Sequence, residues 1–215
     1  MTTLIFANGD LHGLSWIRPL LADAQAVVAA DGGAGHLWRL NHLPDVVIGD
    51  MDSLAREVRE WLENGRVQFA VFPHLKDETD LELALLHAAG QREGDIVVIG
   101  GFGGRFDQTL ANIMLLAHPE LDGRRVELRT QYERAWLVRD FTEIVGEVGD
   151  TVSLIPLGGD VLVEDTHGLQ WPLQDEWLVF GPARGVSNVM TEAVATVKIA
   201  SGTLLCLHTK QAWGR

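Results

Sequence analysis

The feature that most narrows what this chain can fold into is a change of periodicity near residue 140. Before it, short apolar runs recur: LIFA at 4–7, AVVAA at 26–30, DVVIG at 45–49, VQFAVF at 67–72 and DIVVIG at 95–100. Between them lie segments at helical spacing, such as Leu81, Ala84, Leu85 and Ala88, or Leu110, Ile113, Met114 and Ala117, each giving one apolar face. Strands alternating with helices predict a mostly parallel, doubly wound sheet with helices on both faces. After residue 140 the helical period is lost. TEIVGEV, TVSLIP, DVLVED, EWLVFG, AVATVKI and TLLCLHT follow one another with Gly, Pro, Asp or Asn between them, the pattern of a small antiparallel sandwich. The expected architecture is α/β, with an α/β domain over residues 1–140 and a smaller all-β sandwich over residues 141–215.

Composition excludes several roles. With 47% apolar residues among 215, the chain can bury a substantial core. A formal net charge of -13 would repel a phosphate backbone, so nucleic acid is not an expected partner. The first residues, MTTLIFANGD, do not read as a secretory signal, and no apolar stretch reaches the roughly 18 residues of a membrane span. The single cysteine, Cys206, lies in an alternating run and reads as a small core hydrophobe. A cytoplasmic location is expected.

Ligands of open parallel sheets collect beyond the carboxyl ends of the strands. The polar residues of the first part gather there: Asn8, Gly9 and Asp10 after the first run, Asp31, Gly32 and Gly33 after the second, Asp50 and Asp52 after the third, Lys76, Asp77 and Asp80 after the fourth, and residues 100–107 after the fifth. In an extended segment Asp50 and Asp52 would face one spot, and like charges so close call for a hard cation such as Mg²⁺. The alternative is a turn in which Asp52 or Ser53 opens a helix starting at Leu54. Thr79 and Glu82 form a capping box that places Asp80 in a first helical turn, where it favours the helix dipole or joins the other aspartates as a third metal ligand. Lys76 would be near enough to meet a phosphate. In GGFGGRFDQTLANIML, glycines including Gly101 and Gly104 lie between strand and helix and would let backbone N–H groups approach an anion. Arg105 offers a forked donor for phosphate oxygens, and Asp107 is either a helix cap or a functional carboxylate. The pattern is neither a dinucleotide fingerprint nor a Walker A loop.

ADGGAGHLW at 30–38, GDMDSL, KDETDLELAL, GGFGGRFDQTLAN, GLQWPL and GVSN together resemble thiamine pyrophosphokinases, in order and at that family's spacing, over nearly the whole chain. The resemblance implies transfer of pyrophosphate from ATP to the hydroxyl of thiamine, releasing AMP, by an ATP-binding α/β domain followed by a thiamine-binding sandwich, in a homodimer. It implies that Asp50, Asp52 and Asp80 hold Mg²⁺, that Arg105 and Asp107 lie near the transferred phosphates, and that the turns at Asn8, Gly9, Asp31, Gly32 and Gly33, with Lys76, Gly101 and Gly104, contact ATP. Ser187 and Asn188, with Thr79, are the implied substrate contacts, although without the resemblance the Ser-Asn pair reads as a polar turn. Val186 and Gln108 stand where many relatives carry a hydroxyl residue and a histidine. Trp171 in GLQWPL either stacks on an aromatic ring or fills core, and core is the preferred reading. Two rival functions remain: a pyrophosphokinase acting on a pterin alcohol, and a non-catalytic nucleotide- or thiamine-binding protein.

Overall fold

Near-continuous apolar runs suit strands covered on both faces, and in the computed structural model, which describes residues 1–91 and 94–211, each such run before residue 100 forms one strand. The chain divides into two compact units, Met1–Gln131 and Tyr132–Arg215.

The first unit runs β1 (Thr2–Phe6), α1 (Ile17–Asp23), β2 (Ala26–Ala30), α2 (Ala34–Leu40), β3 (Val46–Gly49), α3 (Arg56–Asn64), β4 (Gln68–Val71), α4 (Asp80–Gln91), β5 (Asp95–Ile99), α5 (Phe106–Leu115) and β6 (Val126–Arg129). Its strands lie in the order β6-β5-β1-β2-β3-β4, all parallel. Alternate residues of a strand face opposite ways. Leu4, Phe6, Ala29, Val47 and Ile99 share a core with Ile17 of α1, Leu37 of α2 and Leu62 of α3. The intervening Ile5, Val28 and Ile48 are also buried, and α4 packs across β1, β2 and β3 through the buried Leu81, Ala84, Leu85 and Ala88. Each large aliphatic side chain so buried contributes about 1.5–3 kcal/mol.

Two details depart from expectation. The apolar stripe of α5 is not buried: Leu110 and Met114 are 44% and 49% exposed and continue to Phe106 at 80%, while the polar Asn112 points inward. The helical spacing is real, but its apolar face is left outside. The strand β6 was not expected, because its VELR sequence places the charged Glu127 at a buried position.

The second unit comprises β7 (Glu133–Val138), β8 (Phe141–Val145), β9 (Thr151–Pro156), β10 (Val161–His167), β11 (Gln174–Leu178), β12 (Asn188–Val189), β13 (Val194–Ser201) and β14 (Leu204–Thr209). Two antiparallel four-strand layers, β12-β9-β14-β7 and β11-β10-β13-β8, enclose a core that includes Trp136, Ile144, Leu154, Val163, Val197 and Cys206. The thiol of Cys206 is fully buried, which pushes its pKa up. The division between units falls at Gln131, and Glu133–Val138 pairs along its whole length with β14.

A buried polar network ties β14 to its surroundings. Asp150 and His208 are 3% and 2% exposed. The Asp150 carboxylate accepts from His208 Nε2 at 2.8 Å and from the backbone N–H groups of Glu147 and Gln211, each at 2.9 Å. Arg134 lies against the other imidazole nitrogen, with its Nη2 2.9 Å from Nδ1. A guanidinium can only donate, so Nδ1 accepts and the proton sits on Nε2.

Candidate active site

Chain growth reverses at β1: β2, β3 and β4 add on one side, and β5 and β6 on the other. Such a switch point opens a crevice beyond the carboxyl ends of the strands. A cavity of about 550 Å³ lies there, walled by residues 7–10 after β1, 30–32 after β2, Lys76 and residues 78–81 at the start of α4, and Gly100, Gly101 and residues 103–105 after β5. Asn8, Gly9, Asp31, Gly32, Lys76, Thr79, Asp80, Gly101, Gly104 and Arg105 are thus brought to one wall. Gly33 is not on it. A Cβ at Gly33 would lie 2.0 Å from the carbonyl oxygen of Phe6, so this glycine serves close packing of backbone on backbone beneath the cavity.

The first turn is anchored from below, since Gly9 N–H donates to the Gly100 carbonyl at 2.8 Å and His36 Nε2 lies 3.0 Å from the Gly9 carbonyl oxygen. Burial lowers the pKa of His36, so the neutral ring donates this bond. On the Gly-rich side, the buried Asn112 donates to the Gly101 carbonyl at 2.8 Å. Gly104 N–H donates to Asp10 at 2.9 Å.

The aspartates are arranged differently from an extended pair. Met51 takes a left-handed backbone conformation, φ 66°, so Asp50, Met51 and Asp52 form a turn. The carboxylates fall into two groups that share Asp50: Asp31, Asp50 and Asp80 on one side, Asp50, Asp52 and His74 on the other, with the ligand atoms of each group within 4.8 Å of one another. The helix-cap alternative for Asp52 and Ser53 does not hold, because α3 begins at Arg56 with Ala55 at its cap position. Ser53 instead donates its backbone N–H to Asp31 Oδ2 at 3.1 Å and its hydroxyl to Asp52 at 2.9 Å.

Asp31 is 3% exposed and carries a left-handed backbone, φ 40°. Its Oδ1 is buried and has no hydrogen-bond partner among the described residues. Burial raises its pKa, against the opposing effect of Ser53. Gly49, itself at φ 147°, leaves the space these groups need, since a Cβ there would lie 2.9 Å from both Asp31 Cβ and Asp80 Oδ1. Asp50 is held ionised, its pKa lowered first by His74, whose Nδ1 is 2.7 Å away, and then by the Asp52 N–H at 3.1 Å. Lys76 Nζ lies 3.0 Å from Asp80 Oδ1 and 3.8 Å from Asp50 Oδ2. Burial works against its charge, but Asp80 and then Asp50 outweigh it and raise its pKa. One ammonium therefore faces three carboxylates. An all-oxygen donor set with surplus negative charge fits a hard divalent cation.

Thr79 Oγ1 accepts from Glu82 N–H at 3.1 Å, capping α4 as the sequence predicts and placing Asp80 in its first turn. Arg105 directs its fork at Asp107, with Nε donating at 3.1 Å and Nη2 at 2.5 Å. Arg105 is on the cavity wall and Asp107 is not. His36, His74 and Asn112 were not singled out in the sequence, and Ser53 was read only as a helix cap. Only Asn112 carried a signal, a polar residue between helical apolar positions.

In the second unit, Ser187 and Asn188 line a cavity of about 340 Å³ with Trp171, Leu173 and Arg184. Trp171 is 51% exposed, so it does not fill core. The Asn188 side chain is 7% exposed and is spent on the Trp171 backbone, accepting from its N–H at 3.0 Å and donating to its carbonyl at 2.6 Å. Ser187 takes φ 63° and donates its N–H to Ser153 Oγ at 3.1 Å.

Both parts of the chain match known families. Residues 17–128 match the family described as thiamin pyrophosphokinase, catalytic domain, and residues 142–204 the one described as thiamin pyrophosphokinase, vitamin B1 binding domain. The chain belongs to the thiamine pyrophosphokinase family. Thiamine pyrophosphokinase 3 of Oryza sativa subsp. japonica is 30% identical over 203 residues, covering 83% of this chain and 76% of the relative. Thiamine pyrophosphokinase 1 of Arabidopsis thaliana is 29% identical, covering 93% and 84%. The crystal structure of thiamine pyrophosphokinase from Bacillus subtilis shares the fold, with a TM-score of 0.88 at 24% identity, covering 98% of this chain and 100% of that one. Within this thiamine pyrophosphokinase family frame, no described helix is long and apolar enough to cross a membrane.

Proposed function

We propose that this chain transfers the pyrophosphoryl group of ATP to the hydroxyl of thiamine, giving thiamine diphosphate and AMP. The hydroxyl oxygen bonds to the β-phosphorus, the bond from that phosphorus to the α–β bridging oxygen breaks, AMP leaves with the bridging oxygen, and the hydroxyl proton is released. The observation that carries this reading is the cavity at the switch point of the first unit, where a glycine-rich turn, Lys76 and converging carboxylates meet in a chain whose two parts match the family's two domains.

Bound Mg²⁺ would neutralise phosphate charge as the β-phosphorus is transferred, and Asp50, Asp52 and Asp80 would hold it. The turns at Asn8, Gly9, Asp31 and Gly32, with Gly101 and Gly104, would receive ATP through backbone N–H groups. Lys76 and Arg105 would meet phosphate oxygens, Arg105 by exchanging Asp107 for phosphate, which frees that carboxylate near the reacting groups. In the second unit, Ser187 and the exposed face of Trp171 would meet thiamine, with Asn188 fixing the Trp171 backbone. Thr79 acts by capping α4. The proposed setting is the cytoplasm and the proposed assembly a homodimer, which the exposed apolar stripe of Phe106, Leu110 and Met114 supports.

The test is to incubate the protein with Mg·ATP and thiamine and resolve the products by chromatography. AMP and thiamine diphosphate in equal amounts are expected. ADP with thiamine monophosphate, or turnover with a pterin alcohol and none with thiamine, would overturn the assignment.

A further inference from the structure

The Asp31 carboxylate does not behave like a residue whose only task is to shape a nucleotide turn. Its Oδ2 is satisfied by Ser53 N–H, but its Oδ1 is buried without a hydrogen-bond partner among the described residues. Buried carboxylate oxygens normally find donors, and an orphan points to a group that is bound in the working state. The Asp31 carboxylate belongs to a set with Asp50 and Asp80 whose ligand atoms lie within 4.8 Å of one another, and its Cβ leaves no room for a side chain at Gly49, where a Cβ would lie 2.9 Å away. Asp52 is not in that set. It is grouped with Asp50 and His74, and its side chain is 55% exposed.

We infer that Asp31 is a direct ligand of the divalent cation, so that the inner coordination comes from Asp31, Asp50 and Asp80, with Asp52 on the outer side of Asp50. The inference rests on the reading of the site as metal-dependent and changes which residues do the holding. It also explains the left-handed backbone of Asp31. A non-glycine residue keeps such a backbone only when its surroundings demand it.

Asp31→Asn is a clean probe. Asparagine tolerates left-handed backbone at least as well as aspartate, and its carbonyl oxygen can still accept from Ser53, so the fold is retained while a charged ligand is lost. Mn²⁺ is added together with α,β-methylene-ATP, which cannot be cleaved at the transferred bond, and binding is followed by titration calorimetry and melting temperature. Mn²⁺ affinity should fall by more than roughly tenfold in Asp31→Asn, and by less in Asp52→Asn, with the metal-free melting temperature of Asp31→Asn unchanged. Crystals of the unaltered chain with the same additions provide a second measurement that needs no variant. Anomalous scattering should place manganese in contact with Asp31, Asp50 and Asp80. Manganese held by Asp50 and Asp52 with Asp31 outside its coordination sphere, or an Asp31→Asn protein that binds Mn²⁺ like the parent, would overturn the inference and leave the metal-dependent reading standing. Full turnover in the presence of chelator, with no manganese at any of these carboxylates, would remove both.

Discussion

At the scale of single residues, the site is a balance of charges that separate substitutions can unpick. Asp50 is the carboxylate common to both groups, so Asp50→Asn should cost about 3–5 kcal/mol of transition-state stabilisation, roughly a 10²–10⁴-fold loss of turnover. Metal-free stability should hardly change, because relief from Asp31 and Asp80 offsets the lost attraction of His74 and Lys76. Steady-state kinetics beside thermal melts check this, and parallel losses in both would make Asp50 a structural residue. Arg105→Lys keeps the charge but loses the planar fork now engaged with Asp107. Turnover should fall far more than ATP affinity, and unchanged turnover would place Arg105 outside the reaction. The identities of these residues were legible from their positions after strand ends. Their grouping was not, because it depends on the left-handed turn at Met51, which no spacing rule foretells for methionine.

Among the elements, strands and helices with a full apolar face were read correctly, and the misses share a cause. β6 and β7 contain charged residues at partly or fully buried positions, Glu127 in one and Glu133 and Arg134 in the other, so their alternation is masked. The stripe of α5 was legible as a stripe, but which side of it meets solvent depends on tertiary packing. The Asp150–His208 network makes a prediction at this scale. Burial is the main reason the pKa of His208 lies below its ordinary 6.5. As pH falls past 6.5 the unfolded chain takes up this proton before the folded one does, so the stability involved is present above about pH 6.5 and is lost as pH falls towards the folded value. Asp150 acts in the same direction at lower pH. Burial alone would raise its pKa, but the N–H groups of Glu147 and Gln211 and then His208 hold it below 3.8, so its contribution fades only below that value. The melting temperature should therefore decline from about pH 6.5 downward, and His208→Gln should make that decline shallower, leaving the part due to His36. An identical slope in the variant would show that His208 does not titrate with unfolding.

For the whole molecule, the proposed dimer gives the α5 stripe its test. Leu110→Glu puts a charge in the middle of Phe106, Leu110 and Met114, at a position already 44% exposed, so the fold should tolerate it. Sedimentation should show the parent as a dimer and the variant as a monomer. A variant that remains dimeric would move the interface elsewhere on the surface. The same stripe carries a thermodynamic consequence. In the proposed dimer the stability of the folded chain is tied to its concentration, because association favours the folded form by mass action. Its apparent melting temperature would rise with each increase in protein concentration, and a dilute assay would then be sampling a less stable molecule than a crystallisation drop does.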